Sequence, residues 1–285
     1  MIGSVLVGLG GRGVPGTCFT ESATRVAIDI ATRHDASLTG VTVANFAQLE
    51  RLGSAPIGAG GARAGMLEHR VAETRDRVAA AIVHFEDTCK AAGRPHQVKT
   101  EERSEAFDYL VSQARYHDLT VIGLRGLFEY GVHGEANYDP ADTLVRLIAG
   151  GVRPIIATGP TERTIQRALI AYSGSAQSAK AMRRFVQMNL WPDALVRIVA
   201  FGDDHERRQR HLLDAANYFK EHGIDVERDY RPGDPKGGVL GVAAEWGADL
   251  IVMGNSHRTL FSRKVLGDTM LETIRHSDLP LFLAQ

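Results

Sequence analysis

A chain of 285 residues has room for two domains of ordinary size, and 44% hydrophobic with 24% charged residues is the balance of a folded globular protein rather than a disordered one. A formal net charge of −1 argues against a nucleic-acid partner, which calls for a basic excess. No apolar run nears the ~18 residues a bilayer crossing takes, the first residues lack a basic region followed by a long apolar stretch, and the two cysteines, Cys18 and Cys89, make no disulfide framework; the expectation is a cytoplasmic protein with reduced thiols and no membrane partner.

The first strand is expected in SVLVGLGG, Ser4–Gly11. Gly8, Gly10 and Gly13 spell G-x-G-x-x-G, the dinucleotide fingerprint. Pro15 and Gly16, however, separate the third glycine from the following helix, which Thr20 is expected to cap. No acid closes the second strand, VTVAN (41–45), where a ribose would need one, so a nicotinamide dinucleotide is set aside. Gln48–Gly65, rich in Gly and Ala, reads as a loop, either a surface loop or a lid over a ligand. A helix over Met66–Ala92 follows. Then DLTVIGLRG, Asp118–Gly126, runs an acid into a buried strand and a turn holding Gly123 and Gly126. The loop Leu127–Pro140, bearing Tyr130, His133, Glu135, Tyr138 and Asp139, is either decoration or a ligand contact. ADTLVRLI, Ala141–Ile148, reads as a helix and RPIIAT, Arg153–Thr158, as the closing strand.

The same pattern is then written again. RALIAYSG (Arg167–Gly174) answers the first strand, DLIVMGNSH (Asp249–His257) answers DLTVIGLRG, and GDTMLETI (Gly267–Ile274) with LPLFLA (Leu279–Ala284) answers the closing helix and strand. Asp142 to Pro154 and Asp268 to Pro280 are both 12 positions. In this half strands are expected near Ala168–Tyr172, Val196–Phe201, Val226–Tyr230, Leu250–Met253 and Leu281–Leu283. Helices are expected near Ser175–Gln187, Asp204–Glu221, Gly237–Trp246 and Asp268–His276. Strands alternating with helices imply parallel sheets covered on both faces, in domains spanning 1–159 and 163–285 and joined by TGPTERT.

Gly254, Asn255, Ser256 and His257, then nine residues (Arg258–Leu266), then Gly267 and Asp268, give a spacing that resembles the G-x-x-G, nine residues, G-[S/T] signature of ATP-binding universal stress proteins. The resemblance covers the second repeat well and the first loosely. It implies an α/β fold of two tandem flavodoxin-like (adenine nucleotide alpha hydrolase-like) domains. Each would hold a five-stranded parallel sheet with helices on both faces. The two would pack as a pseudo-twofold dimer through their last strands, Pro154–Ala157 and Pro280–Ala284.

By function it implies a stress-response protein that binds an adenine nucleotide, ATP or AMP, or another small anionic ligand. Ser173, Gly254, His257, Gly267, Asp268 and Thr269 would line the better-formed site, with Gly123 and Gly126 as the first-repeat counterpart. Glycines let backbone amides approach phosphate, and a helix start presents free N–H groups to it.

The pattern also departs from the family. His257 stands for the second Gly and Asp268 for Ser or Thr, and Ser173 and Gly10 stand where the family keeps an Asp at the end of the first strand. Asp268 reads either as an N-cap that repels phosphate or as part of a site that tolerates it. His257 reads either as a solvated loop residue or as a phosphate contact. SGSAQS (Ser173–Ser178) also resembles the SGGxDS loop of ATP pyrophosphatases, with Gln177 in place of its metal-binding acid. His205, His211 and the run Arg207, Arg208, Arg210 read as a solvated helix end. No catalytic or metal-ligating residue is assigned. Three readings stay open: a degenerate nucleotide binder, a scaffold that has lost its ligand, and a slow nucleotide hydrolase. The expected partners are a small molecule and the other half of the same chain, with a homodimer left open.

Overall fold

The computed structural model describes residues 2–10, 18–44, 60–102, 106–125, 127, 140–152, 154–254 and 267–284. In the first half they form β1 (Ser4–Gly8), α1 (Cys18–His34), β2 (Ser37–Val43), α2 (Gly60–Ala91), β3 (His96–Glu101), α3 (Ala106–Ala114), β4 (Leu119–Gly123), α4 (Pro140–Ala149) and β5 (Ile155–Thr158). In the second they form β6 (Arg167–Ala171), α5 (Ala176–Met188), β7 (Leu195–Phe201), α6 (His205–Glu221), β8 (Val226–Arg231), α7 (Gly238–Trp246), β9 (Leu250–Gly254), α8 (Asp268–His276) and β10 (Leu281–Ala284).

Short β-branched runs such as LTVIG and LIVMG are apolar on both faces because both faces of a parallel sheet are covered. The strand order is β3-β2-β1-β4-β5-β10-β9-β6-β7-β8, so the order of the first half is repeated in mirror sequence by the second. Every neighbouring pair is parallel except the central one. There β5 and β10 run antiparallel, with Leu281 opposite Ala157, Phe282 opposite Ile156 and Leu283 opposite Ile155. The two last strands therefore join the halves into one ten-stranded sheet.

One apolar layer covers each face and crosses the joint. On one side α1 and α5 pack over the sheet with Phe85, Leu212 and Phe219, and the rings of Phe185 and Phe282 meet edge-on at 5.7 Å. On the other side α4 and α8 touch each other over the joint, with Leu144, Leu147, Met270 and Ile274 buried beneath them. Polar bonds stitch the seam. Arg125 Nη2 donates to the Arg275 carbonyl (3.2 Å), and Trp191 Nε1 donates to Asp29 Oδ2 (2.9 Å). Cys89 is buried on α2, and burial together with the nearby Glu86 charge pushes its thiol up to about 12, which removes the reactive thiolate.

The repeated acid has a structural task. Asp118 Oδ2 accepts from the backbone N–H of Gly3 (2.8 Å) and Ser4 (3.1 Å). Asp249 Oδ2 accepts from Gln166 (3.1 Å) and Arg167 (3.0 Å). Each carboxylate clamps the start of its half's first strand to the start of the fourth, satisfying donors that no ladder partner reaches.

Two expectations need correction. α1 starts at Cys18, which puts Thr20 inside the first turn rather than at the cap. α2 starts at Gly60, so the end of the expected Gln48–Gly65 loop is helical. Three glycines at about 1 kcal/mol each disfavour those turns. They extend a helix already fixed further along by burial of Val78, Ala81, Phe85 and Cys89, and extending a formed helix is far easier than nucleating one. None of the described helices is long and apolar enough to cross a membrane.

Replacing either clamp, Asp118→Ala or Asp249→Ala, leaves two backbone donors without their carboxylate. Water reaches these exposed donors, so each is expected to lower stability by about 0.5–1.5 kcal/mol, read as a shift in the urea midpoint at unchanged slope.

Candidate functional site

β6 lies between β7 and β9, and the chain leaves it in opposite directions on the two sides. Strand ends at such a reversal part to leave a crevice. In the second half that crevice is a cavity of about 190 Å³. Ser173, Ser175 and Ser178 bound it from the β6–α5 turn, and Phe201 and Gly202 from the end of β7. Arg208 reaches it from α6, Met253 and Gly254 from β9, and Thr269 and Met270 from the first turn of α8.

The β6–α5 turn is built from hydroxyls. Ser175 takes the N-cap of α5 with extended backbone, and its Oγ accepts from the Ser178 N–H at 3.2 Å. Ser173 Oγ lies 2.9 Å from Ser175 Oγ and 3.2 Å from Ser178 Oγ, and Ser178 Oγ donates to the Ser175 carbonyl at 3.0 Å. Arg208 Nη1 donates to the Ser173 carbonyl at 2.8 Å, tying α6 to the turn. Gly174 has φ +74, and a Cβ there would run into the His211 imidazole, so only glycine fits the turn beneath that ring. His211 Nδ1 and Arg208 Nε are buried and lack hydrogen-bond partners among the described residues. Burial, then the charges of Arg208 and Arg207, hold the His211 pKa below its ordinary value, so the ring stays neutral near neutral pH.

Of the residues singled out from sequence, Ser173, Gly254 and Thr269 line this cavity. Gly254 also has a packing role, since a Cβ there would collide with the Gln177 backbone in the first turn of α5. Gly123 does the same in the first half, where a Cβ would lie 2.9 Å from Phe19 Cβ in α1. It sits at the end of β4, in the other half of the sheet, and contributes nothing to this cavity. His257 and Gly126 lie outside the described residues.

Asp268 is not the N-cap of α8. Gly267 occupies that position with extended backbone and no side-chain cap, and Asp268 is the exposed first helical residue, where its charge favours the positive end of the helix. Sequence reasoning missed Ser175, Ser178 and Arg208. The SGSAQS turn was a visible signal for the serines. Arg208 looked like one of three solvated arginines, and only the packing of α6 separates it from Arg207 and Arg210, which are exposed while Arg208 is half-buried. His211 is likewise half-buried rather than solvated.

In the first half, among the described residues, a leucine takes the corresponding place at the end of β1. The Leu127 side chain lies over Gly8, 2.5 Å from where a Cβ would stand, and Leu9, Phe19 and Leu124 are buried around it. Among the described residues no group of three or more His, Cys, Asp or Glu side chains is assembled that could hold a metal ion.

The fold is a mostly parallel α/β sheet with a cavity at its strand reversal, the place where open sheets of this class form their crevices. Residues 164–285 match the model of the Universal stress protein family. The Universal stress protein Slr1230 of Synechocystis sp. is 25% identical over 169 residues, which are 58% of this chain and 56% of that protein, so the match spans little more than half of the relative. The crystal structure of a universal stress protein from Archaeoglobus fulgidus DSM 4304 superposes with a TM-score of 0.67 at 15% identity, covering 99% of this chain and 98% of that one. A functionally unknown protein from Pseudomonas aeruginosa PAO1 gives 0.64 at 12% identity, covering 99% and 92%. Both structural likenesses concern the fold, and both extend over the two halves.

Because the folded-state pKa of His211 lies below its ordinary 6.5, the unfolded chain binds the proton more readily. This contribution is complete above about pH 6.5 and is lost as the pH falls toward the folded value. Thermal unfolding followed from pH 7.5 to 5.5 should show a smaller loss of Tm in His211→Gln than in the parent protein.

Proposed function

We propose that this chain is a stress-response binding protein of the universal stress type, in which the second-half cavity takes an adenine nucleotide, ATP or AMP, or another small anionic ligand. The observation that carries the reading is the cavity itself: Ser173, Gly254 and Thr269 meet there at the ends of β6, β9 and the start of α8, with an apolar wall of Val199, Val239, Met253 and Met270 suited to a flat ring. Gly267, Asp268 and, by its spacing, His257 complete the proposed site on the α8 side. Gly123 and Gly126 mark the first-half counterpart, where Leu127 takes up the space beside Gly8. In this proposal units 1–159 and 163–285 pair as an intramolecular pseudo-dimer through β5 and β10, the setting is the cytoplasm, and the bound ligand acts as a signal rather than as a substrate.

A second reading, a scaffold without a nucleotide, is favoured by Asp268. Its carboxylate stands at the α8 start, where a phosphate would otherwise meet the helix N–H groups.

Calorimetric titration with ATP and with AMP separates the two. The binding reading expects saturable heat and a rise in Tm, with about 2.7 kcal/mol of added stability at a hundredfold excess over Kd. Absence of heat and of any thermal shift with both nucleotides rejects it in favour of the scaffold.

A further inference from the structure

The geometry points to an anion-recognition site at the β6–α5 turn, in which Arg208 and the hydroxyls of Ser173, Ser175 and Ser178 hold the charged group of the ligand, while its apolar body lies against Phe201 and Met253. This inference rests on the proposed ligand cavity and assigns the orientation of what fills it: the anion sits at the β6 end, away from Asp268 on α8.

Charge decides the orientation. Arg208 is the one charged residue in the described lining of the cavity. Its recorded hydrogen bond runs to a neutral carbonyl, that of Ser173, and among the described residues no carboxylate pairs with it. A guanidinium has five N–H donors in a fixed fork, so the bond to Ser173 leaves the fork largely free for a second acceptor. Its Nε is buried without a partner, a costly arrangement that an acceptor entering the cavity relieves.

The three hydroxyls meanwhile donate among themselves and to the Ser175 carbonyl, and small rotations turn them toward an incoming oxygen. The first turn of α5 begins at the same place, adding its positive end to the field. At the other side of the cavity Asp268 opens α8, next to the lining residues Thr269 and Met270, so the acidic residue nearest in sequence to that wall stands away from Arg208. The cavity thus carries its one described cationic side chain at the β6–α5 end and none at the α8 end. The matching ligand class is a phosphate monoester or a carboxylate carried on a flat apolar ring.

The test uses the full chain and two pairs of probes, phenyl phosphate with benzyl alcohol and AMP with adenosine, titrated by calorimetry or protein NMR. Each anionic probe should bind tighter than its neutral counterpart. In Arg208→Gln, which keeps an amide donor for the Ser173 carbonyl, that preference should fall by about tenfold or more, and Arg208→Lys should keep part of it. Asp268→Ser should change anion affinity less than twofold. The proposal is overturned if neither anionic probe binds, if the preference for the anion survives Arg208→Gln, or if Asp268→Ser strengthens anion binding tenfold, since that puts the charged group at α8. Binding of phenyl phosphate without binding of either nucleoside compound sinks the nucleotide reading and leaves this site standing. Binding of adenosine and AMP with equal affinity does the reverse.

Discussion

The molecule depends on the pairing of two short apolar strands. β5 and β10 are each four residues long and buried on both faces, and each is the last strand of its half. Alone, either half would end in a bare hydrophobic edge with unpaired backbone groups, which invites association with other chains. Antiparallel pairing in the register Phe282 to Ile156 satisfies both edges at once and lets an apolar layer run unbroken across each face. The seam bonds through Arg125 and Trp191 and the meeting of α4 with α8 follow from that single junction.

That junction also leaves the carboxyl ends of the second-half strands open. Because β6 sits between β7 and β9, the crevice opens beyond its end, two strands from β10, and the second half keeps a cavity there. In the first half the same geometry holds Leu127 on Gly8. Duplication therefore gave two equal frameworks and two unequal mouths. The framework is fixed by glycines and acids that recur in both copies, and the mouth is fixed by side chains that do not.

Much of this was readable beforehand. The doubled DLTVIG and DLIVMG runs, the equal spacing from Asp142 to Pro154 and from Asp268 to Pro280, and the alternation of strands and helices located the sheet halves and, in the second copy, nearly every element to within a residue. Local chemistry governs those features, so local sequence reveals them. The purpose of the repeated acid was hidden, because Asp249 acts on the backbone of Arg167, far away in the chain. Arg208 was hidden for the same reason: whether one arginine of three on a helix start is solvated or turned inward depends on how α6 docks against Gly202 and the Ser173 turn. Gly254 and Asp268 show a subtler limit. Their positions were right, but Gly254 is also required for close packing on Gln177, and the cap of α8 belongs to Gly267.

The bond from the Trp191 indole to Asp29 has a practical use. Trp191 is almost fully buried at the seam, and its ring nitrogen is held by a carboxylate from the opposite half. The other tryptophan, Trp246, instead lies under the Arg197 guanidinium in the second half. The two indoles thus differ in what surrounds them and in which contact they report. Substituting Phe for Trp246 leaves a single tryptophan, at the joint, so that parting of the halves becomes visible in its emission, excited apart from the tyrosines, without any label.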